Sequence, residues 1–230
     1  MSSENLSKTP GGREAMSPPP GRPYKSLVKL VEGLFETHGD SHQGLGCPKP
    51  DGFYDRYRVY FDVIRFGPAT KGKCAILDVG CGTARLLDQI KASGRKDIDY
   101  RGVDLSPVLL EAARRKHPEA DFICGDPFDL DQIWSAAPDY VVFGQIFTCR
   151  LQMSEEQMTD YMVRMLRLAF AHCRCGIVFN VMSAHVDWQR EDLFHVPFDR
   201  MAEILQVNLS RNYIFRADYG LYEYTVYVYK

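Results

Sequence analysis

The sequence predicts an α/β fold: a seven-stranded, mostly parallel, doubly wound sheet with a C-terminal antiparallel hairpin, preceded by an N-terminal helical segment. Three observations predict it. From residue 75 onward, short apolar runs alternate with helix-length amphipathic segments, the pattern of a parallel sheet covered by helices. The run Ala75-Ile-Leu-Asp-Val-Gly-Cys-Gly-Thr-Ala84 is an apolar strand that turns through two glycines into a helix start. At the C-terminal end, two β-rich stretches, 212–218 and 221–229, flank Tyr219-Gly220 and read as a hairpin.

Taken in order, residues 1–22 are rich in Ser, Pro, Gly and charge and contain Pro18-Pro19-Pro20, so they predict a disordered tail. Residues 23–66 form a helical unit. Leu27, Val28, Leu30, Val31, Leu34 and Phe35 give one apolar helical face. A polar, glycine-rich connection over 38–46 follows, and Tyr54 to Ile64 reads as a second helix. Residues 67–230 form the α/β core, with strands expected at 75–79, 100–104, 121–124, 139–143 and 175–182 and helices at 83–92, 107–116 and 155–172. Ser106 followed by Pro107 is an N-cap with proline at the first helical position. Ser154-Glu-Glu-Gln157 is a capping box, and Met158, Tyr161, Met162, Met165 and Leu166 then share one face. The tyrosines of the hairpin read as strand formers that pack on both faces of the sheet.

Composition narrows the function classes. The chain has 230 residues, 45% hydrophobic and 25% charged, with a formal net charge of −2. That is one ordinary globular domain, with no basic field to draw it to nucleic acid or to an anionic membrane. No apolar run approaches the roughly 18 residues that span a bilayer, and the N-terminus shows no apolar signal core. The seven cysteines form no Cys-x-x-Cys pair, and Cys173-x-Cys175 has no matching second pair for zinc. A reduced, cytoplasmic protein is expected.

The glycine turn carries the chemistry. Glycines at a strand end let the backbone approach a ligand closely, and the following helix offers free N–H groups. Asp104 closes the next apolar run roughly 20 residues on, where a ribose-binding acid stands. A dinucleotide fingerprint requires a third glycine where Arg85 stands, and Asp78 before the turn suits a cationic ligand better than a pyrophosphate. The pattern Asp78-x-Gly80-x-Gly82, with Asp104 following, resembles that of the class I S-adenosylmethionine-dependent methyltransferases.

The resemblance runs from about Tyr54 to the C-terminus, with four motifs in the family's order. It implies S-adenosyl-L-methionine as cofactor and an N-terminal helical lid over cofactor and acceptor. Asp78, Gly80, Cys81 and Gly82 would wrap the methionine part, with Ala84 at the third small position. Asp104, with Leu105 beside it, would accept both ribose hydroxyls. In Gly125-Asp126-Pro127-Phe128, Asp126 would accept from the adenine amino group and Phe128 or Phe122 would pack on the ring. Gly144 and Gln145 would lie under the sulfonium. Arg56 or Arg58 of the lid would bind the cofactor's carboxylate bidentately, and Arg58 is taken as the candidate. Tyr54 and His38 are further lid candidates.

Methyl transfer from a sulfonium is an in-line displacement, so the enzyme chiefly positions the acceptor. A base is needed only where the acceptor must lose a proton. His185 follows the fifth strand directly and His195 lies in Leu193-Phe-His-Val-Pro197; these two are the candidate bases. Gly144-Gln145 stands where metal-dependent relatives need carboxylates, so metal independence is expected. The expected reaction is transfer to an oxygen or nitrogen of a small-molecule acceptor, such as a sugar or natural-product precursor. The alternatives are a protein or RNA methyltransferase, supported only by Arg13 and Arg22 of the tail, an NAD-dependent oxidoreductase, or a cofactor-binding protein without catalysis. Binding of NAD rather than the methyl donor would separate the oxidoreductase from the rest.

Overall fold

A computed structural model describes residues 17–47, 52, 54–70 and 72–230. Two helices come first, α1 (Lys25–His38) and α2 (Asp55–Phe66). The core follows as β1 (Cys74–Val79), α3 (Arg85–Ala92), β2 (Ile98–Asp104), α4 (Pro107–Lys116), β3 (Asp121–Cys124), β4 (Tyr140–Phe143), α5 (Glu155–His172), β5 (Gly176–Ser183), β6 (His195–Val196), α6 (Phe198–Asn208), β7 (Tyr213–Arg216) and β8 (Glu223–Tyr229).

The main path of the sheet is β3-β2-β1-β4-β5-β8-β7, the seven strands expected. All neighbours are parallel except β5 with β8 and β8 with β7, so β8 alone runs backwards and the terminal hairpin is real. The two-residue β6 pairs with the end of β5, off this path. Neither β6 nor α6 is anticipated by the motif reading.

Strand periodicity divides the core. Tyr227 and Tyr229 of β8 point to the face covered by α2, α3 and α4, and their hydroxyls donate to the Val59 and Val63 carbonyls of α2 at 2.6 and 3.0 Å. Tyr224, Val226 and Val228 point to the other face, with Met158, Met162, Met165 and Leu166 of α5 and Met201, Ile204 and Leu205 of α6. Both α4 and α5 start at the caps the sequence marks: Ser106 Oγ accepts from Leu109 N–H, and the Ser154–Gln157 box closes in both directions. A fully buried side chain such as Leu166 contributes about 1.5–3 kcal/mol, so α5 is anchored by burial far more than by its cap.

The first helix is held differently. α1 buries no residue fully; Leu27 packs on the edge of the core and Glu32 accepts from Ser106 Oγ. Most of the expected tail, residues 1–16, lies outside the described residues. At its end Arg22, with Tyr24 just beyond, binds a buried carboxylate of the core.

Candidate donor-binding site

The site is built on the strand ends. After β1 the chain turns through Gly80 (φ 75°), Gly82 (φ 53°) and Ala84 (φ 63°) before α3 begins. The Gly80 and Cys81 amides both donate to the Val103 carbonyl, at 2.8 and 3.0 Å, pinning the turn to β2. A side chain at Gly80 would place its Cβ 2.4 Å from Ile146 Cγ2. Ala84 thus takes the left-handed backbone a third glycine would occupy.

Asp104 ties three loops together. Its Oδ2 accepts the Gly82 amide at 2.7 Å and its Oδ1 the Ser106 amide at 2.8 Å, while its carbonyl accepts the Gly125 amide at 2.9 Å. Burial raises its pKa, and the amides of Ser106 and Gly82 oppose this. An ionised carboxylate has about four acceptor sites, so two remain for a diol. Leu105 beside it packs on the core. Glu32 of α1 accepts from Ser106 Oγ at 2.6 Å, which holds α1 against this point.

Asp78 lies inside, 4% exposed, and accepts from the Tyr100 hydroxyl at 2.9 Å. Burial pushes its pKa up to about 7; the Tyr100 bond works against this and Asp104 adds to it. After β3, a Cβ on Gly125 would meet Leu130 at 2.1 Å. Asp126 is buried, and its Oδ2 is taken by Arg22 Nη1 and the Tyr24 hydroxyl, both at 2.7 Å. Its Oδ1 holds the Phe128 amide at 3.1 Å. The Pro127 carbonyl accepts from Trp134 Nε1 at 2.9 Å. Tyr24 stacks on Tyr161, centroids 4.4 Å apart, and lies 6.2 Å from Phe128.

After β4 comes the densest polar cluster. Gly144 faces the Tyr60 ring. Gln145 (φ 68°) donates its amide to Asn180 Oδ1 at 2.8 Å and its Nε2 to Tyr60 Oη and Glu223 Oε2, both at 3.2 Å. Its Oε1 accepts from Arg56 Nη1 at 3.2 Å, and Arg56 Nε lies 3.4 Å from Glu223 Oε1. Arg56 and Glu223 are 7% and 3% exposed. Burial raises the Glu223 pKa and the Arg56 charge opposes it. Among the described residues, Arg56 Nε and Asn180 Nδ2 are buried without hydrogen-bond partners.

Two expectations change. Arg58 is 70% exposed, and its ion pair, with Asp55 at 3.8 Å, lies within its own helix. The helical period turns Arg56 inward instead. His195 does not offer a free ring nitrogen: Nδ1 pairs with the Ser183 carbonyl at 2.7 Å and Nε2 accepts the Arg190 amide at 3.4 Å. Both ring nitrogens are taken up in bracing the β5–β6 corner. His185 is exposed at the end of β5, its ring stacked on Phe198 at 5.5 Å. His38 and Tyr54 are exposed. The motif reading missed Arg22, Tyr24, Glu32 and Glu223, which no strand-end motif marks. Burial of a Glu at the head of a tyrosine-rich strand was the one available sign for Glu223.

The single reversed strand of the described sheet, the glycine cradle after β1 and the buried acid that ends β2 define a doubly wound α/β protein. Comparison with known proteins agrees. Residues 76–169 match the family model described as a methyltransferase domain. The chain is 32% identical over 161 residues to "Putative methyltransferase Rv1506c" of Mycobacterium tuberculosis, covering 68% of this chain and 93% of that protein. Its fold is similar to magnesium protoporphyrin IX methyltransferase from Synechocystis PCC 6803 with bound S-adenosylhomocysteine (SAH), with TM-score 0.59 and 12% identity over 90% of this chain and 99% of that one. It is also similar to the plantazolicin methyltransferase BpumL, with TM-score 0.57 and 15% identity over 90% and 98% of the two chains. The chain belongs to the class I S-adenosylmethionine-dependent methyltransferases.

Proposed function

We propose that this methyltransferase acts on an oxygen or nitrogen of a small-molecule acceptor, without a metal. The observation that carries the reading is the cluster of Gln145, Asn180, Glu223 and Tyr60 at the C-terminal sheet edge, where open α/β sheets bind ligands. These groups hydrogen-bond and orient; as a set with Arg56 they are near neutral, which suits an uncharged polar acceptor. The formal net charge of −2 gives no support to a nucleic-acid partner.

The donor supplies the electrophilic methyl group. Asp104 would accept the ribose hydroxyls and Gly80 would give the methionine part its close backbone approach. Arg56, in place of Arg58, would take the donor's carboxylate; its buried Nε, which makes no hydrogen bond among the described residues and meets Glu223 only as a loose ion pair, fits that role. His185 is left as the candidate base from the sequence. Among the described residues no group of three His, Cys, Asp or Glu side chains is placed to hold a metal ion. No disulfide joins any of the seven cysteines, and no described helix is long and apolar enough to cross a membrane.

The test is calorimetry against S-adenosylmethionine, SAH and NAD, then a labelled-methyl screen. The panel contains hydroxyl- and amine-bearing small molecules, a protein mixture and RNA, each with and without chelator. Label in a small molecule, insensitive to chelator, is expected. Label only in protein or RNA overturns the acceptor class.

A further inference from the structure

The Arg56–Glu223 pair is poorly matched for two buried opposite charges. Their closest approach is 3.4 Å, through Nε, and that Nε makes no hydrogen bond among the described residues. The guanidinium fork is not spent on the carboxylate: Nη1 goes to Gln145 Oε1 at 3.2 Å and to Cys47 Sγ at 3.7 Å. A buried guanidinium gains most from a planar carboxylate that meets it bidentately, and Glu223 does not. Gln145 sits between the two charges and bonds to both. The cluster stands beside Gly144-Gln145, the segment expected under the sulfonium.

We infer that Glu223 is the resident counter-ion of Arg56, exchanged for the α-carboxylate of the methyl donor when the donor binds, and that Glu223 then takes a proton from solvent. This rests on the assignment of Arg56 to the donor's carboxylate. The proton follows from what else faces Glu223. Arg56 and Tyr60 face it from α2 and Tyr219 from the turn before β8, with uncharged Gln145 and Asn180 from the β4 loop and β5. Tyr60 and Tyr219 are held neutral by burial and offer no positive charge. Burial already holds the Glu223 pKa above the usual carboxylate range with Arg56 alongside. When Arg56 turns to a second carboxylate, the charged form of Glu223 loses the cation that faces it among the described residues, and the protonated form gains. Glu223 is thus a positioning residue: it holds Arg56 ready in the empty site and stores the proton in the filled one.

The experiment is calorimetric titration of the full chain near neutral pH, in phosphate and in Tris, whose ionisation enthalpies differ. The probes are SAH and 5′-methylthioadenosine, which lacks the amino-acid end. SAH binding is expected to take up a substantial fraction of a proton and methylthioadenosine binding none. Glu223→Gln is expected to bind SAH without proton uptake and with affinity at least equal to that of the natural chain. Proton-neutral SAH binding, or uptake that persists in Glu223→Gln, overturns the exchange. Arg56→Gln tests the underlying assignment separately. It should weaken SAH about tenfold or more, as loss of a bidentate charge pair does, and leave methylthioadenosine unchanged. An unchanged ratio sinks the Arg56 assignment; a changed ratio with persistent uptake in Glu223→Gln sinks the exchange alone. Should Glu223→Gln fail to fold, the natural chain still decides the matter. Its SAH affinity must fall as pH rises, by up to about tenfold per unit, and methylthioadenosine affinity must not. A flat SAH profile overturns the proposal.

Discussion

Asp104 Oδ2 holds the Gly82 amide at 2.7 Å, so the acid at the end of β2 braces the glycine turn at the end of β1. One side chain therefore serves the shape of the cradle and, in the proposed site, the ribose hydroxyls. Asp104→Ala removes both functions. SAH affinity should fall by about tenfold or more, and stability by about 1–3 kcal/mol, because two buried amides lose a charged acceptor. Calorimetry and urea unfolding read the two effects. Unchanged affinity would remove Asp104 from the donor site.

Asp78 makes stability depend on pH in the direction opposite to an ion-paired acid. Its folded pKa, pushed up to about 7, lies above the usual unfolded value near 4. The folded state therefore favours the protonated acid. The stability this gives is complete below about pH 4 and is lost as pH rises through about 7. Asp78→Asn keeps a partner for the Tyr100 hydroxyl and cannot ionise. Relative to the natural chain, it should grow more stable as pH rises from 5 to 8, by an amount of the order of a few kcal/mol. Urea unfolding of both proteins at the two pH values checks the sign. A constant difference would show that Asp78 does not titrate in this range.

The pair of arginines two residues apart in α2 shows what the sequence reveals and where it stops. Sequence pattern identifies the helix and proposes an arginine for the donor's carboxylate. It does not identify which arginine turns inward, because that depends on how α2 rotates against β5 and β8. Arg58→Ala, at an exposed position with a loose local partner, should change stability by less than about 0.5 kcal/mol. Arg56→Ala leaves Glu223 buried without its counter-ion and should cost about 3–5 kcal/mol where the acid stays ionised, less where it takes up a proton as pH falls. Thermal unfolding of the two variants side by side is sufficient. Equal effects would place α2 in a different rotation.

The same division holds elsewhere. The strands β1 to β5 and β8, the helices α4 and α5 and the strand-end motifs are legible because each is written locally, as apolar runs, caps or glycines. Even α6 carries a readable period in Met201, Ile204 and Leu205, hidden behind the proline at 197. The contacts of Arg22 and Tyr24 with Asp126, 104 and 102 residues away, have no local trace. His195 looks like a base in the sequence and becomes a brace only when β6 pairs beside β5 and brings it to the Ser183 carbonyl.

Gly80 separates two reasons for a glycine, and a double variant can measure each. Its φ of 75° costs a residue with a side chain about 1–2 kcal/mol. A Cβ would also lie 2.4 Å from Ile146 Cγ2, an overlap worth about a further 1–3 kcal/mol unless Ile146 moves. Gly80→Ala should therefore lose about 2–5 kcal/mol, the sum of the two costs. In an Ile146→Ala background the methyl that collides is gone while the backbone strain stays. The second substitution should then cost only the strain, about 1–2 kcal/mol. A cost for Gly80→Ala that is the same in both backgrounds would mean that Ile146 yields freely and that only the turn's backbone demands glycine.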